Sequence, residues 1–132
     1  MTQQLTDDHA ALFSAANYGV VTTIRDDGSP HSTVVWVDLE DDGTPSFNTA
    51  RGRIKPANLE RNPRVALLVV KEGDFYTWLS IDGRVELTAE GAEEQIDKLS
   101  RKYDGEPWQY RNGEERVKVR VLPDRVTTYG LT

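Results

Sequence analysis

The chain has 132 residues, 16 Lys and Arg against 22 Asp and Glu, a formal charge of -6, 37% hydrophobic residues and no cysteine. That length allows one domain, residues 1–132, with a core that needs no disulfide or metal staple. Without cysteine there are no disulfide scaffolds, thiolate metal sites or iron–sulfur clusters. No apolar run reaches the roughly 18 residues of a membrane span, and the net acidity opposes a general nucleic-acid binder.

Residues 1–8 lack the basic and apolar regions of a secretion signal, so cytoplasmic residence is expected. Thr6 is placed to cap a first helix that carries Asp7 and Asp8 in its first turn and Leu12, Phe13 and Ala16 on one face, and ends at Asn17 or Gly19. Residues 18–24 and 32–39 are β-branched and aromatic runs separated by Asp27-Gly28, a hairpin signal. Asp42-Gly43 leads into a short strand over 45–48. Pro56 suits the first turn of a short helix that runs to Arg61 and stops at Asn62-Pro63.

Strands over 64–70 and 75–87 follow, with Asp82-Gly83 read as a bulge or bend inside the second. Thr88 is placed to cap a third helix with acidic residues early and Lys98, Arg101 and Lys102 late, closed by Asp104-Gly105. Residues 108–115 allow one helical turn. Two last strands, 116–122 and 125–129, hinge at Pro123-Asp124. Short turns between successive strands make the sheet mostly antiparallel. The class is β-rich α+β, a small barrel of six to seven strands with a few short helices.

Nucleotide-binding glycine loops, zinc-protease and nucleophile-elbow motifs are absent. The two histidines, His9 and His31, lie far apart. No metal site is expected, and both read as solvent-facing or structural. One segment departs from the acidic background. Between Arg51 and Arg64 stand five basic residues and one acidic residue, Glu60. Thr49, Arg51, Arg53 and Lys55 lead into the helix that holds Pro56, where unpaired N–H groups favour an anion such as phosphate. Arg51 and Arg53 share a face if the chain is extended, and Gly52 permits close backbone approach. A solvated basic patch is the alternative reading. Arg116, Lys118 and Arg120 alternate with valines and read as the outward face of a barrel strand. Trp36 and Trp78 can either wall a flat ring or fill the core, with core favoured for each.

The run from Gly19 to Ile24, then Asp27-Gly28-Ser29-Pro30-His31 and Val34-Val35-Trp36-Val37-Asp38, resembles the opening hairpin of the split β-barrel flavin and deazaflavin oxidoreductases, the pyridoxamine 5'-phosphate oxidase-like superfamily. The stretch from Phe47 to Ala66, with its Arg53-x-Lys55-x-x-Asn58-Leu59 pattern, is similar to their phosphate-binding segment and looks most like the branch that uses coenzyme F420. The resemblance extends to Gly83–Leu87 and to the final strands as far as Gly130.

It implies an enzyme, a reductase passing a hydride from reduced F420 to a small unsaturated or quinone-like electron acceptor. An FMN-binding oxidase or reductase of the same fold, or a non-catalytic F420 carrier, is the alternative. It also implies that Arg53, Lys55 and Asn58, with Thr49 and Arg51, hold the cofactor phosphate. Val34 and Trp36 correspond to the strand beside the ring, and a homodimer carries cofactor sites at its subunit interface. No catalytic residue is assigned; Tyr18 and Tyr129 are proton-donor candidates by residue type alone.

Overall fold

The computed structural model describes residues 4–111 and 113–131; Met1 to Gln3 of the N-terminal reading, Asn112 of the 108–115 segment and Thr132 lie outside the described residues. Helix α1 (Asp7–Ser14) starts as expected at Thr6, whose hydroxyl accepts from the His9 N–H while His9 reaches back to the Thr6 N–H. It ends sooner than expected, at Ala15, and leaves Ala16 exposed. Asn17 explains the early stop, because its amide turns back to donate to the Leu12 carbonyl.

Strands β1 (Tyr18–Ile24) and β2 (Pro30–Leu39) form a hairpin whose tip is set by Gly28 at φ 87 and by Asp27, which accepts from Ser29. After β3 (Pro45–Ala50) comes α2 (Ile54–Arg61), then β4 (Arg64–Lys71), β5 (Asp74–Thr88), α3 (Ala92–Asp104) and β6 (Arg116–Tyr129). The six strands close as a barrel in the order β1-β2-β3-β6-β5-β4, every pairing antiparallel. Among the described residues no helix is long and apolar enough to cross a membrane.

Period-two alternation fills the interior from all sides with Val21, Val37, Phe47, Leu67, Val69, Leu79, Ile81, Val117, Val119 and Val121, all fully buried. Neither Trp36 nor Trp78 belongs to this core, a correction to the sequence reading. Each is one residue from a fully buried neighbour, Val37 or Leu79, and so faces the opposite, outer side of its strand.

Further boundaries differ from expectation: β2 begins at Pro30 rather than at residue 32, and β3 runs to Ala50 rather than to 48. β6 runs unbroken through Pro123 because Pro123 sits opposite the bulge at Asp82/Gly83, where a missing N–H costs no ladder bond. α3 begins at Ala92 rather than near Thr88, since Thr88 remains in β5 opposite Lys118 and its hydroxyl accepts from the Glu90 N–H. The described part of 108–115 contains no helix.

β2 pairs with β1 from Pro30 to Trp36, but with β3 only from Val37 to Leu39. Below Val37 the strands part, and β3 continues along β6 as far as the Ala50–Arg116 pair. α3 packs across the outside of this fork against β2, β3 and β6, and α2 packs against β1 and β3.

Candidate functional site

The fork leaves a cavity of about 190 Å³ lined by Val34, Val35, Trp36, Asn48, Arg53, Ile96, Leu99, Trp108 and Arg116. Outward-facing positions of β2 supply Val34 and Trp36, and α3 supplies an apolar floor. The turn between β3 and α2 delivers Arg53. Gly52 at φ 87 makes that turn and breaks the extended alternation expected for Arg51 and Arg53. The two arginines therefore diverge: Arg51 forms an ion pair with Glu60, while Arg53 enters the cavity wall.

Lys55 is half-buried near the same place. Burial pushes its ammonium below the ordinary lysine value, and the charges of Arg53 and Arg116 push it further. Among the described residues no carboxylate pairs with Arg53 or Lys55. Arg53 and Lys55 are thus held close to each other without a carboxylate partner, beside a helix start that has no side-chain cap at Arg53. Pro56 is the third residue of α2, so the N–H groups of Ile54 and Lys55 lead into the helix. Thr49 stands near the end of β3, 1% exposed, and its hydroxyl has no hydrogen-bond partner among the described residues. An uncapped helix start and two unpaired cations make a donor set suited to a phosphate.

Asn58 is placed differently. It is buried inside α2, its amide donating to the Thr23 hydroxyl at 2.9 Å and its carbonyl accepting from Arg61 at 3.1 Å. The amide end fastens α2 to β1, and the carbonyl end holds Arg61 of the same helix, whose guanidinium donates to the Ile24 carbonyl of β1. The structure therefore brings Val34, Trp36, Arg53 and Lys55 to one place, puts Arg51 and Asn58 in contacts of their own, and sets Thr49 on the inward face of β3 with Phe47, outside the cavity lining.

The cavity also uses residues that the sequence reading passed over. The alternation puts Arg116 on one outward cationic face with Lys118 and Arg120, and those two are paired there with Glu40 and with Asp42 and Glu86. Arg116 itself is buried. Its Nη1 lies 2.6 Å from Glu114, its Nε donates to Asn48 at 2.8 Å, and its guanidinium carbon sits 5.0 Å from the Trp108 ring centre. Burial lowers the Arg116 pKa, with Glu114 opposing. Burial pulls the Glu114 carboxyl up, but hydrogen bonds from the Trp108 indole and Arg116 outweigh it and leave it below its ordinary value. The register, not the local sequence, carries this signal: Arg116 lies opposite Ala50, at the end of β3 that leads into the Arg53 turn.

Of the proton-donor candidates, Tyr18 lies beside Trp36 across the β1–β2 ladder, whereas Tyr129 stacks on Trp78 on the outer sheet.

Residues 5–130 match the family described as pyridoxamine 5'-phosphate oxidase. The chain is 31% identical over 94 residues to a Mycobacterium tuberculosis protein named F420H(2)-dependent biliverdin reductase, covering 67% of this chain and 64% of that one. It thus spans just under two thirds of that curated relative. Among solved structures, an F420 reductase superposes with a TM-score of 0.79 at 25% identity, covering 93% of this chain and 98% of the other. A conserved hypothetical protein from Mycobacterium tuberculosis gives 0.71 at 27% identity, covering 97% and 89%. A putative pyridoxamine 5'-phosphate oxidase from Listeria innocua shares the fold, with a TM-score of 0.68 at 22% identity over 89% and 92%.

Proposed function

Because this chain belongs to the pyridoxamine 5'-phosphate oxidase family, we propose that it is a coenzyme F420-dependent reductase acting on a small unsaturated or quinone-like acceptor. The observation that carries this reading is the pair of unpaired cations, Arg53 and Lys55, at the uncapped start of α2 beside the Trp36 wall. Such a site suits a phosphate joined to a flat ring. The relatives named for F420 chemistry favour the deazaflavin over FMN.

The bound deazaflavin would supply the hydride; the protein's part is binding, orientation and exclusion of water. Arg53 and Lys55 would take the phosphate, and Trp36 and Val34 would lie along the ring. Among the described residues that line the cavity there is no acid, histidine or tyrosine. That leaves protonation to the acceptor or to a group outside this lining, and it equally fits a carrier that binds the cofactor without turnover.

A second copy of the chain belongs to this proposal. A cavity of about 190 Å³ falls short of the roughly 300–1,000 Å³ of typical small-molecule sites, so a tricyclic cofactor needs another wall. Val34 is 65% exposed and continues into an outer apolar face with Val20, Leu68, Phe75 and Trp78. A homodimer that covers this face would close the site at the interface.

The test is a fluorescence titration with F420 and with FMN, using the unaltered protein and the Arg53→Ala/Lys55→Ala double variant, followed by oxidation of reduced F420 against a panel of acceptors. Tight F420 binding is expected, weakened by about 3–6 kcal/mol in the double variant if each cation contributes one charge-assisted hydrogen bond. Preference for FMN would move the chain to the flavin reading, and binding without turnover to the carrier. Equal affinity in the double variant would overturn the site.

A further inference from the structure

Val37 is the residue at which β2 exchanges β1 for β3, and its backbone polar groups face the end of α3. The Val37 N–H donates to the Tyr103 hydroxyl at 3.0 Å, and that hydroxyl in turn donates to the Asn17 carbonyl at 2.6 Å. Asn17 directly precedes β1, whose first pair with β2 is Tyr18–Trp36. The phenol oxygen is therefore inserted where the next rung of the β1–β2 ladder would stand, joining the two strands through a side chain. Lys102, one residue earlier, donates to the Val37 carbonyl at 2.7 Å and to the Phe13 carbonyl at 2.6 Å. It thereby gives the last turn of α1 the cation that its own sequence lacks. Burial holds the Tyr103 phenol up at about 12, so its one proton stays available to Asn17.

The Tyr103 ring lies against the Trp36 indole with centres 5.3 Å apart and planes 4° from parallel. It also meets Tyr18, the cross-strand partner of Trp36, at 5.2 Å. The Trp36 indole in turn meets Trp108 edge-on at 6.3 Å. The cavity wall thus has its plane dictated from behind by a ring that is pinned by its hydroxyl to the fork.

We propose that Tyr103 is a positioning residue, which by bridging Val37 to Asn17 and stacking on Trp36 orients the indole wall against which the cofactor's ring lies. This rests on the cofactor reading above. It assigns Tyr103 no contact with the phosphate subsite, so ring affinity and phosphate affinity should separate.

The test uses Tyr103→Leu, which removes ring and bridge, and Tyr103→Phe, which keeps the ring and removes the bridge. The near-UV circular dichroism of the ligand-free protein reports the stack, and titrations with F420, FMN and inorganic phosphate report the two halves of the site. In Tyr103→Leu the near-UV signal of Trp36 should fall as it does in Trp36→Phe. Affinity for the ring-bearing ligand should fall about three- to tenfold, the range an aromatic pair contributes, with phosphate affinity unchanged. Tyr103→Phe should retain most of the signal and lose less affinity. If the leucine variant fails to fold, the phenylalanine variant decides, with ring affinity equal to that of the unaltered protein counting against the proposal. Equal losses for ring ligands and phosphate, or a near-UV signal indifferent to both Tyr103→Leu and Trp36→Phe, would overturn it. Should the unaltered protein bind neither ring ligand, the cofactor reading fails, and the near-UV arm alone still shows whether Tyr103 sets the Trp36 plane.

Discussion

Arg116 and Glu114 form an ion pair at 2.6 Å with side chains only 4% and 7% exposed, two residues apart on the segment that enters β6. A buried pair is costly to desolvate, and here the guanidinium and carboxylate are both further satisfied, by Asn48 and by the Trp108 indole. Glu114→Ala leaves the guanidinium buried beside Arg53 and Lys55 without its counterion. Urea unfolding should show a loss of about 3–5 kcal/mol. A loss below about 1 kcal/mol is the value of a solvated surface pair and would contradict this account.

Gly83 supplies a test of the barrel's bend. A Cβ there would lie 2.3 Å from the Leu122 carbonyl oxygen, a backbone atom that cannot swing aside. Gly83→Ala should destabilise by about 1–3 kcal/mol or more through overpacking. Gly28→Ala meets no atom within 4 Å and should cost only the roughly 1–2 kcal/mol of a positive φ, here 87. Thermal midpoints of the two variants would separate steric from conformational cost.

Alkaline pH should act on the anion site through Lys55. Its folded pKa lies below the ordinary 10.5, so between the two values the unfolded chain holds more protons and the ligand-free protein gains stability as pH rises. A bound anion reverses the sign by favouring the charged ammonium. Phosphate or cofactor affinity should be complete below the depressed pKa and decline as pH rises through it, with proton uptake on binding. Lys55→Arg should flatten that decline, which isothermal titration in two buffers of different ionisation enthalpy would detect.

The proposed dimer can be broken without touching the cations. Val20 is 36% exposed at the middle of the outer apolar face, opposite Val34 on one side and Leu68 on the other. Val20→Asp should convert a dimer into a folded monomer by light scattering and reduce cofactor affinity. A monomeric unaltered protein at micromolar concentration would remove the second wall from the proposal.

Much of the local structure could be read from the residues. Thr6, Gly28 and Gly105 act where their chemistry places them, and Gly83 marks the bulge that its Asp-Gly pair suggested. The basic stretch pointed to Arg53 and Lys55, because a charge excess against an acidic chain is visible without coordinates. Arg51 was harder: its separation from Arg53 depends on one glycine's φ and on Glu60 eight residues after that glycine.

The remainder depends on contacts distant along the chain. Asn58 looks like a ligand in sequence, yet its amide reaches Thr23, 35 residues away, and Tyr103 reaches Val37 over 66. Short-range chemistry, meaning caps, turns and alternation, is written in neighbours a few positions apart, so the strands, the turns and the cationic segment follow from it directly. Which strand leaves which at Val37, and so which of several similar arginines faces a cavity, follows from barrel closure. Closure sums the registers of six ladders at once, and a slip of one residue in any of them would turn Trp36 inward and Val37 out.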